Sequence, residues 1–134
     1  MGSTTGKKIK PTKLKNFISW FEIPALNFDQ AVGFYNHIYG IKMETTSSNS
    51  HTMAYFPANG GIGGAVVCGP GSNPNENGPL IYLNGGDDLN KVLNKVEEAG
   101  GRIVMGKTLI NEDNGYFAIF IDSEGNKLAI HSNK

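Results

Sequence analysis

The side chains able to do chemistry in this sequence are few and scattered. Glu22 sits inside a run of strand-forming residues, and His131 lies three residues from the C-terminus. A carboxylate desolvated by apolar neighbours has a raised pKa and suits a general base that takes a proton from carbon. An imidazole beside it can orient the carboxylate or shuttle the proton. Blander roles stay open for both: Glu22 can cap backbone N–H groups or pair with a surface Lys, and His131 can be a frayed, solvated end. His51 follows Ser47-Ser48-Asn49-Ser50 and is expected to be exposed, as is His37. Nothing in the spacing of Glu22, His51 and His131 marks a metal-binding motif. Cys68 is the only cysteine, so no intramolecular disulfide can form. With no basic neighbour in sequence to lower its pKa, it is expected to be a small buried hydrophobe. Gly60-Gly61-Ile62-Gly63-Gly64 lacks the Lys-Ser/Thr word of a phosphate cradle and reads as a turn into a closely packed strand.

These groups must be positioned by short elements. Phe17–Ile23 is dense in strand formers and Pro24 ends it. Asn27 followed by Gln30 resembles a capping box, which predicts a helix from about residue 28. Ala31, Phe34, Tyr35 and Ile38 recur at helical spacing, His37 falls off that stripe, and Gly40 supplies the stop. Strands are predicted over Ile41–Thr45, His51–Phe56 and Ile62–Cys68. Residues 69–79, rich in Gly, Pro and Asn, read as a linker, and the pattern then restarts. Leu80–Asn84 is a strand, Asp87 or Asp88 caps a helix, and Leu89, Val92, Leu93, Val96 and Ala99 line its apolar face up to Gly100-Gly101. Arg102–Met105, Tyr116–Ile121 and Lys127–Ile130 follow as strands, the last two joined by a hairpin turn at Asp122-Ser123-Glu124-Gly125-Asn126.

The predicted order is therefore βαβββ, linker, βαβββ: an α+β fold of two modules. A strand-rich module with one helix cannot bury both faces of its sheet. Two such sheets paired make a curved, cup-like mixed sheet whose concave side holds a small ligand. The boundaries expected are a flexible basic tail over residues 1–15 and one domain over 16–132, with module 1 at about 16–69, a linker at 70–79 and module 2 at about 80–132.

Bulk composition agrees with that size. The chain has 134 residues, 39% of them apolar, enough to build a core. Its 18 glycines are about twice the usual share and fit a fold of short strands and many turns. Five of the twelve basic residues (Lys7, Lys8, Lys10, Lys13 and Lys15) lie in the first fifteen positions. That leaves seven basic against twelve acidic groups, a net charge of −5 over residues 16–134. Such a surface disfavours nucleic acid as a partner, and the basic tail reads as solvated chain or an added leader. No apolar run approaches a membrane span of about 20 residues, and no signal-peptide core opens the chain, so a cytoplasmic location is expected.

Several words of the sequence, in this order and spacing, resemble the vicinal oxygen chelate superfamily of glyoxalases, bleomycin-resistance proteins and extradiol dioxygenases. They are Trp20-Phe21-Glu22-Ile23-Pro24, Ala31-Val32-Gly33-Phe34-Tyr35 with Tyr39-Gly40, Val96-Glu97-Glu98-Ala99-Gly100-Gly101, and Asp122-Ser123-Glu124-Gly125-Asn126-Lys127-Leu128. The resemblance spans roughly residues 16–132 and is nearest to the lactoylglutathione-lyase-related branch. It implies the glyoxalase/bleomycin-resistance/dioxygenase fold and a homodimer, since isologous packing covers apolar faces in that family. It also implies where a metal would be held: at Ser19 or Trp20, at Gly64 or Ala65, at Leu80 or Ile81, and at Ala129. None of those side chains can replace an imidazole or a carboxylate. The expectation is thus no metal cofactor and no ordinary glyoxalase or dioxygenase activity.

If Trp20 takes the place of a ligand, strand alternation turns Glu22 toward the cup as well, and His131 shares a face with Ala129. Trp20, Tyr55, Phe56, Tyr82 and Tyr116 are candidates for an aromatic lining, each with core packing as the alternative. Two functions remain open. One is a binding protein that holds a small, partly aromatic or amphipathic molecule through Trp20, Glu22, Tyr55, Tyr82, Tyr116 and His131. The other is a metal-independent lyase or isomerase using Glu22, with His131, as acid and base.

Overall fold

The computed structural model describes residues 13–134; most of the predicted basic tail lies outside the described residues. The first sheet runs in the order β1-β4-β3-β2, built from β1 (Trp20–Pro24), β2 (Glu44–Ser48), β3 (His51–Tyr55) and β4 (Gly63–Cys68). The second repeats it as β5-β8-β7-β6, from β5 (Tyr82–Asn84), β6 (Arg102–Asn111), β7 (Gly115–Ile121) and β8 (Lys127–Ser132). In each sheet the first strand lies parallel to the last, Trp20 opposite Gly63 and Tyr82 opposite Ala129, and the remaining pairs are antiparallel. This is the mixed α+β architecture of two βαβββ modules.

Helix α1 (Phe28–Tyr39) forms as its sequence predicts. The Asn27 side chain accepts from the Gln30 N–H at 3.1 Å, and Gly40 adopts the left-handed φ of 63° that closes the helix. Ala31, Phe34, Tyr35 and Ile38 are all buried. The return half of the capping box is replaced by a contact from the second module. Glu124 Oε1 accepts the backbone N–H groups of Leu26 (2.9 Å) and Asn27 (2.7 Å), and the Gln30 amide turns to Glu124 Oε2 (2.7 Å). Carboxylate at a helix N-terminus is favourable twice over, through orphan N–H groups and the helix dipole.

Several elements depart from the sequence prediction: β1 begins at Trp20 rather than Phe17 and runs through Pro24, and β5 begins at Tyr82 rather than Leu80. Strand β2 begins at Glu44 rather than Ile41, because the Ile41 and Met43 N–H groups are tied back to Asn36 at the helix end. The second helix keeps only one regular turn, α2 (Asn90–Leu93). Beyond it the chain continues to Gly101 in tighter turns such as Val96 N–H to Leu93 O, while Leu89, Val92, Leu93 and Val96 still reach the core. Neither Asp87 nor Asp88 is its N-cap; Asp88 instead accepts from the Asn90 N–H and from Lys107 Nζ, each at 3.0 Å. Strand β6 extends six residues past Met105, with register shifts against β7, and β8 runs on to Ser132.

One core joins the modules. Ile23, Val66, Leu83, Phe120, Leu128 and Ile130 from both sheets meet the apolar stripe of α1 and the residues around α2. Phe34 of α1 stacks on Phe120 of β7, with centroids 6.2 Å apart.

Candidate functional site

Alternation along β1 decides what the site is made of. Ile23 turns into the core, so Trp20 and Glu22 are left on the opposite face, both exposed. On β5, Leu83 turns inward and leaves Tyr82 and Asn84 exposed in the same way. Between these two strands opens a cleft of about 940 Å³. β1 contributes Trp20, Phe21 and Glu22, and β5 contributes Tyr82, Leu83 and Asn84. The end of α1 adds Tyr39, and Phe56 and the apolar Leu80-Ile81 segment complete the inner wall.

Several contacts fix this geometry. The Trp20 indole Nε1–H donates to Glu22 Oε2 over 3.3 Å, holding the carboxylate beside the ring. Tyr55, expected in the lining, is not among the cleft's lining residues; it packs beside Trp20, ring centroids 6.2 Å apart, with its hydroxyl 2.9 Å from Thr46 Oγ1. Tyr39 donates its hydroxyl to Asn84 O (2.7 Å) and so links the first helix to β5. Burial pushes the Tyr39 phenol well above its ordinary pKa, so it serves there as a fixed neutral donor. Phe21 and Phe56 pack together with centroids 5.4 Å apart.

The proposed acid–base pair is not assembled. Glu22 is exposed on the cleft wall rather than sealed among apolar groups. His131 lies in β8, paired between Asn84 and Phe117, and is neither frayed nor in the cleft lining. It borders a separate, more polar cavity of about 640 Å³ beside Asp113 and Asn114, with its Nε2 2.6 Å from Asn114 O. Tyr82 and Asn84 border both cavities, so β5 is the wall between them.

Tyr116 does not face the cleft. Its neighbour Phe117 lies on the Tyr82 side, ring centroids 6.3 Å apart, so alternation sends Tyr116 to the other face. There it packs on the core with Lys107 Nζ 4.7 Å above its ring. His51 is half-buried, 3.0 Å from Ser50 Oγ and 2.9 Å from Pro70 O, where an exposed ring was expected. His37 is on the surface beside Glu98. Cys68 is half-buried, with its thiol 3.5 Å from Leu26 O. Phe21, Tyr39 and Asn84 were not named as site residues from sequence, although Phe21 and Tyr39 fall within the family words and alternation puts Asn84 on the strand face of Tyr82.

At the strand positions where the family resemblance would put a metal, Glu22 is the one carboxylate. Trp20 faces Gly63, Glu22 faces Ala65, and Tyr82 faces Ala129. Among the described residues, no three His, Cys, Asp or Glu side chains cluster closely enough to share an ion. One carboxylate without a second carboxylate or imidazole beside it falls short of the three donors that a divalent centre uses.

Known structures place this geometry. A glyoxalase/bleomycin resistance protein from Albidiferax ferrireducens T118 superposes with a TM-score of 0.63 at 15% identity, over 89% of this chain and 100% of that one. Glyoxalase I from Zea mays gives 0.65 at 16% identity over 86% of this chain, which spans only 44% of the maize protein. A hypothetical protein from S. aureus gives 0.59 at 17% identity over 90% of this chain and 95% of that one. At such identities the likeness speaks for the fold alone. A search among curated proteins gives no significant match in sequence. The family profile, however, matches nearly the whole domain, residues 17–130. The chain therefore belongs to the Glyoxalase/Bleomycin resistance protein/Dioxygenase superfamily.

Proposed function

We propose that this protein binds a small, partly aromatic or amphipathic molecule in the cleft between β1 and β5, without a divalent metal centre. The observation that carries this reading is the cleft itself: about 940 Å³, walled by aromatic and aliphatic side chains with few polar groups. Small-molecule sites are concave, mostly apolar and of this size. The separation of Glu22 from His131 into different cavities removes support for metal-free acid–base catalysis by that pair. Trp20 is the only tryptophan and lines the cleft, so its fluorescence reports on occupancy. The neutral dye Nile red should bind saturably at one site per cleft and quench Trp20. Wild-type protein that neither binds the dye nor shows quenching would remove the reading.

The same reading includes a homodimer in the cytoplasm. No helix among the described residues is long and apolar enough to cross a membrane. Val104, Leu109 and Ile110 are exposed on the edge strand β6, an apolar surface of the kind subunit packing covers. Sedimentation velocity at micromolar concentration distinguishes the dimer from a monomer.

A further inference from the structure

We propose that the ligand of the cleft is a hydrophobic organic cation, an amine carried on an aromatic or alkyl body. This rests on the cleft being a small-molecule site and adds the charge of what enters it. Among the 17 described residues that line the cleft, Glu22 is the only one with a charged side chain, and none is Lys, Arg or His. Five of the 17 are aromatic: Trp20, Phe21, Tyr39, Phe56 and Tyr82. Aromatic faces carry negative electrostatic potential and attract cations, indole most strongly. The Trp20 N–H bond to Glu22 places the best such face and the lone carboxylate side by side.

An anionic ligand would find the opposite. Its head group would meet a carboxylate and ring faces of the wrong sign, with no cationic side chain in the lining to compensate its lost hydration. Glu22 also borders a smaller neighbouring cavity, where Lys127 and Glu76 oppose each other in sign and leave the local balance unchanged.

Three probes sharing one apolar body test this: 4-butylbenzylamine, protonated at neutral pH, 4-butylbenzyl alcohol and 4-butylphenylacetate. Each is titrated against wild type and Glu22→Gln while Trp20 fluorescence is followed, with Nile red binding to wild type measured in parallel. The ammonium probe should bind about 5-fold more tightly than the alcohol, and the carboxylate should bind most weakly. Glu22→Gln should bring the ammonium probe to within about 2-fold of the alcohol. Equal affinities across the three head groups, with Nile red still bound, would overturn the cation assignment and leave the cleft reading standing. Failure of all four probes would overturn both.

Discussion

The hydroxyl of Tyr35 donates to Asp122 Oδ2 over 2.7 Å, joining residues 87 positions apart in sequence, both buried. Asp122 is the hub of a wider set. Its Oδ1 accepts the N–H groups of Glu124 (2.9 Å) and Asn126 (3.0 Å), and Oδ2 also accepts from the Asn126 side chain (3.0 Å). That amide reaches on to Pro24 O at 2.8 Å. The β7–β8 turn of module 2 is thereby bolted to the helix and first strand of module 1. Asp122→Ala leaves a buried phenol and amide without their acceptor and should cost about 3 kcal/mol. Tyr35→Phe should cost about 1–2 kcal/mol. Urea unfolding checks both: the midpoint should fall while the slope stays unchanged.

Alkali should weaken the fold through two tyrosines. Burial raises the Tyr35 phenol, with the charge of Asp122 adding to it, and burial alone raises Tyr39. Both therefore keep their protons in the folded state at a pH where the unfolded chain has lost them. Their contribution is fully present below about pH 10, the unfolded tyrosine value, and is lost as pH rises above it. Unfolding free energies measured from pH 9 to 11 should fall, and Tyr39→Phe should make the fall shallower.

Glu124 is predicted to act on a helix from which it is almost a hundred residues distant in sequence. Its carboxylate accepts two backbone N–H groups at the start of α1 and the Gln30 amide. Glu124→Ala should destabilise by about 1–2 kcal/mol, like the loss of a helix cap. Chemical denaturation of Glu124→Ala and Gln30→Ala should rank the first as clearly the more damaging.

Gly64 tests the link between packing and the cleft. A Cβ there would run into the Phe21 ring, which lines the cleft. Gly64→Ala should cost about 1–3 kcal/mol of stability as the ring is displaced and should weaken Nile red binding. Unaltered affinity in a folded Gly64→Ala protein would show that Phe21 does not shape the site.

How much of this was readable beforehand follows from the range of the forces involved. Helix α1 was legible because its stripe, cap and stop are encoded within a few adjacent residues. Strand β2 was misplaced because Glu44–Ser48 is an exposed edge strand of polar residues, with no apolar alternation to mark it. The shortened α2 was hidden by a good helical stripe that still packs the core in tighter turns. At the site, local alternation correctly separated Trp20 and Glu22 from Ile23. It was silent on which face of β7 looks toward the cleft, which depends on pairing with β8, so Tyr116 stayed open between lining and core, and the structure packs it on the core. Tyr39 and Phe21 pack against the core and also border the cleft, a double role that no single element's pattern contains.

Metal-free binding in the cleft can be tested on a single sample. Nile red is titrated into protein stripped with chelator, its metal content measured on the same sample, and again after addition of zinc or nickel. Saturable binding with Trp20 quenching is expected in the stripped protein, with an unchanged affinity after the metal is restored. Binding that appears only with a stoichiometric divalent ion would contradict it.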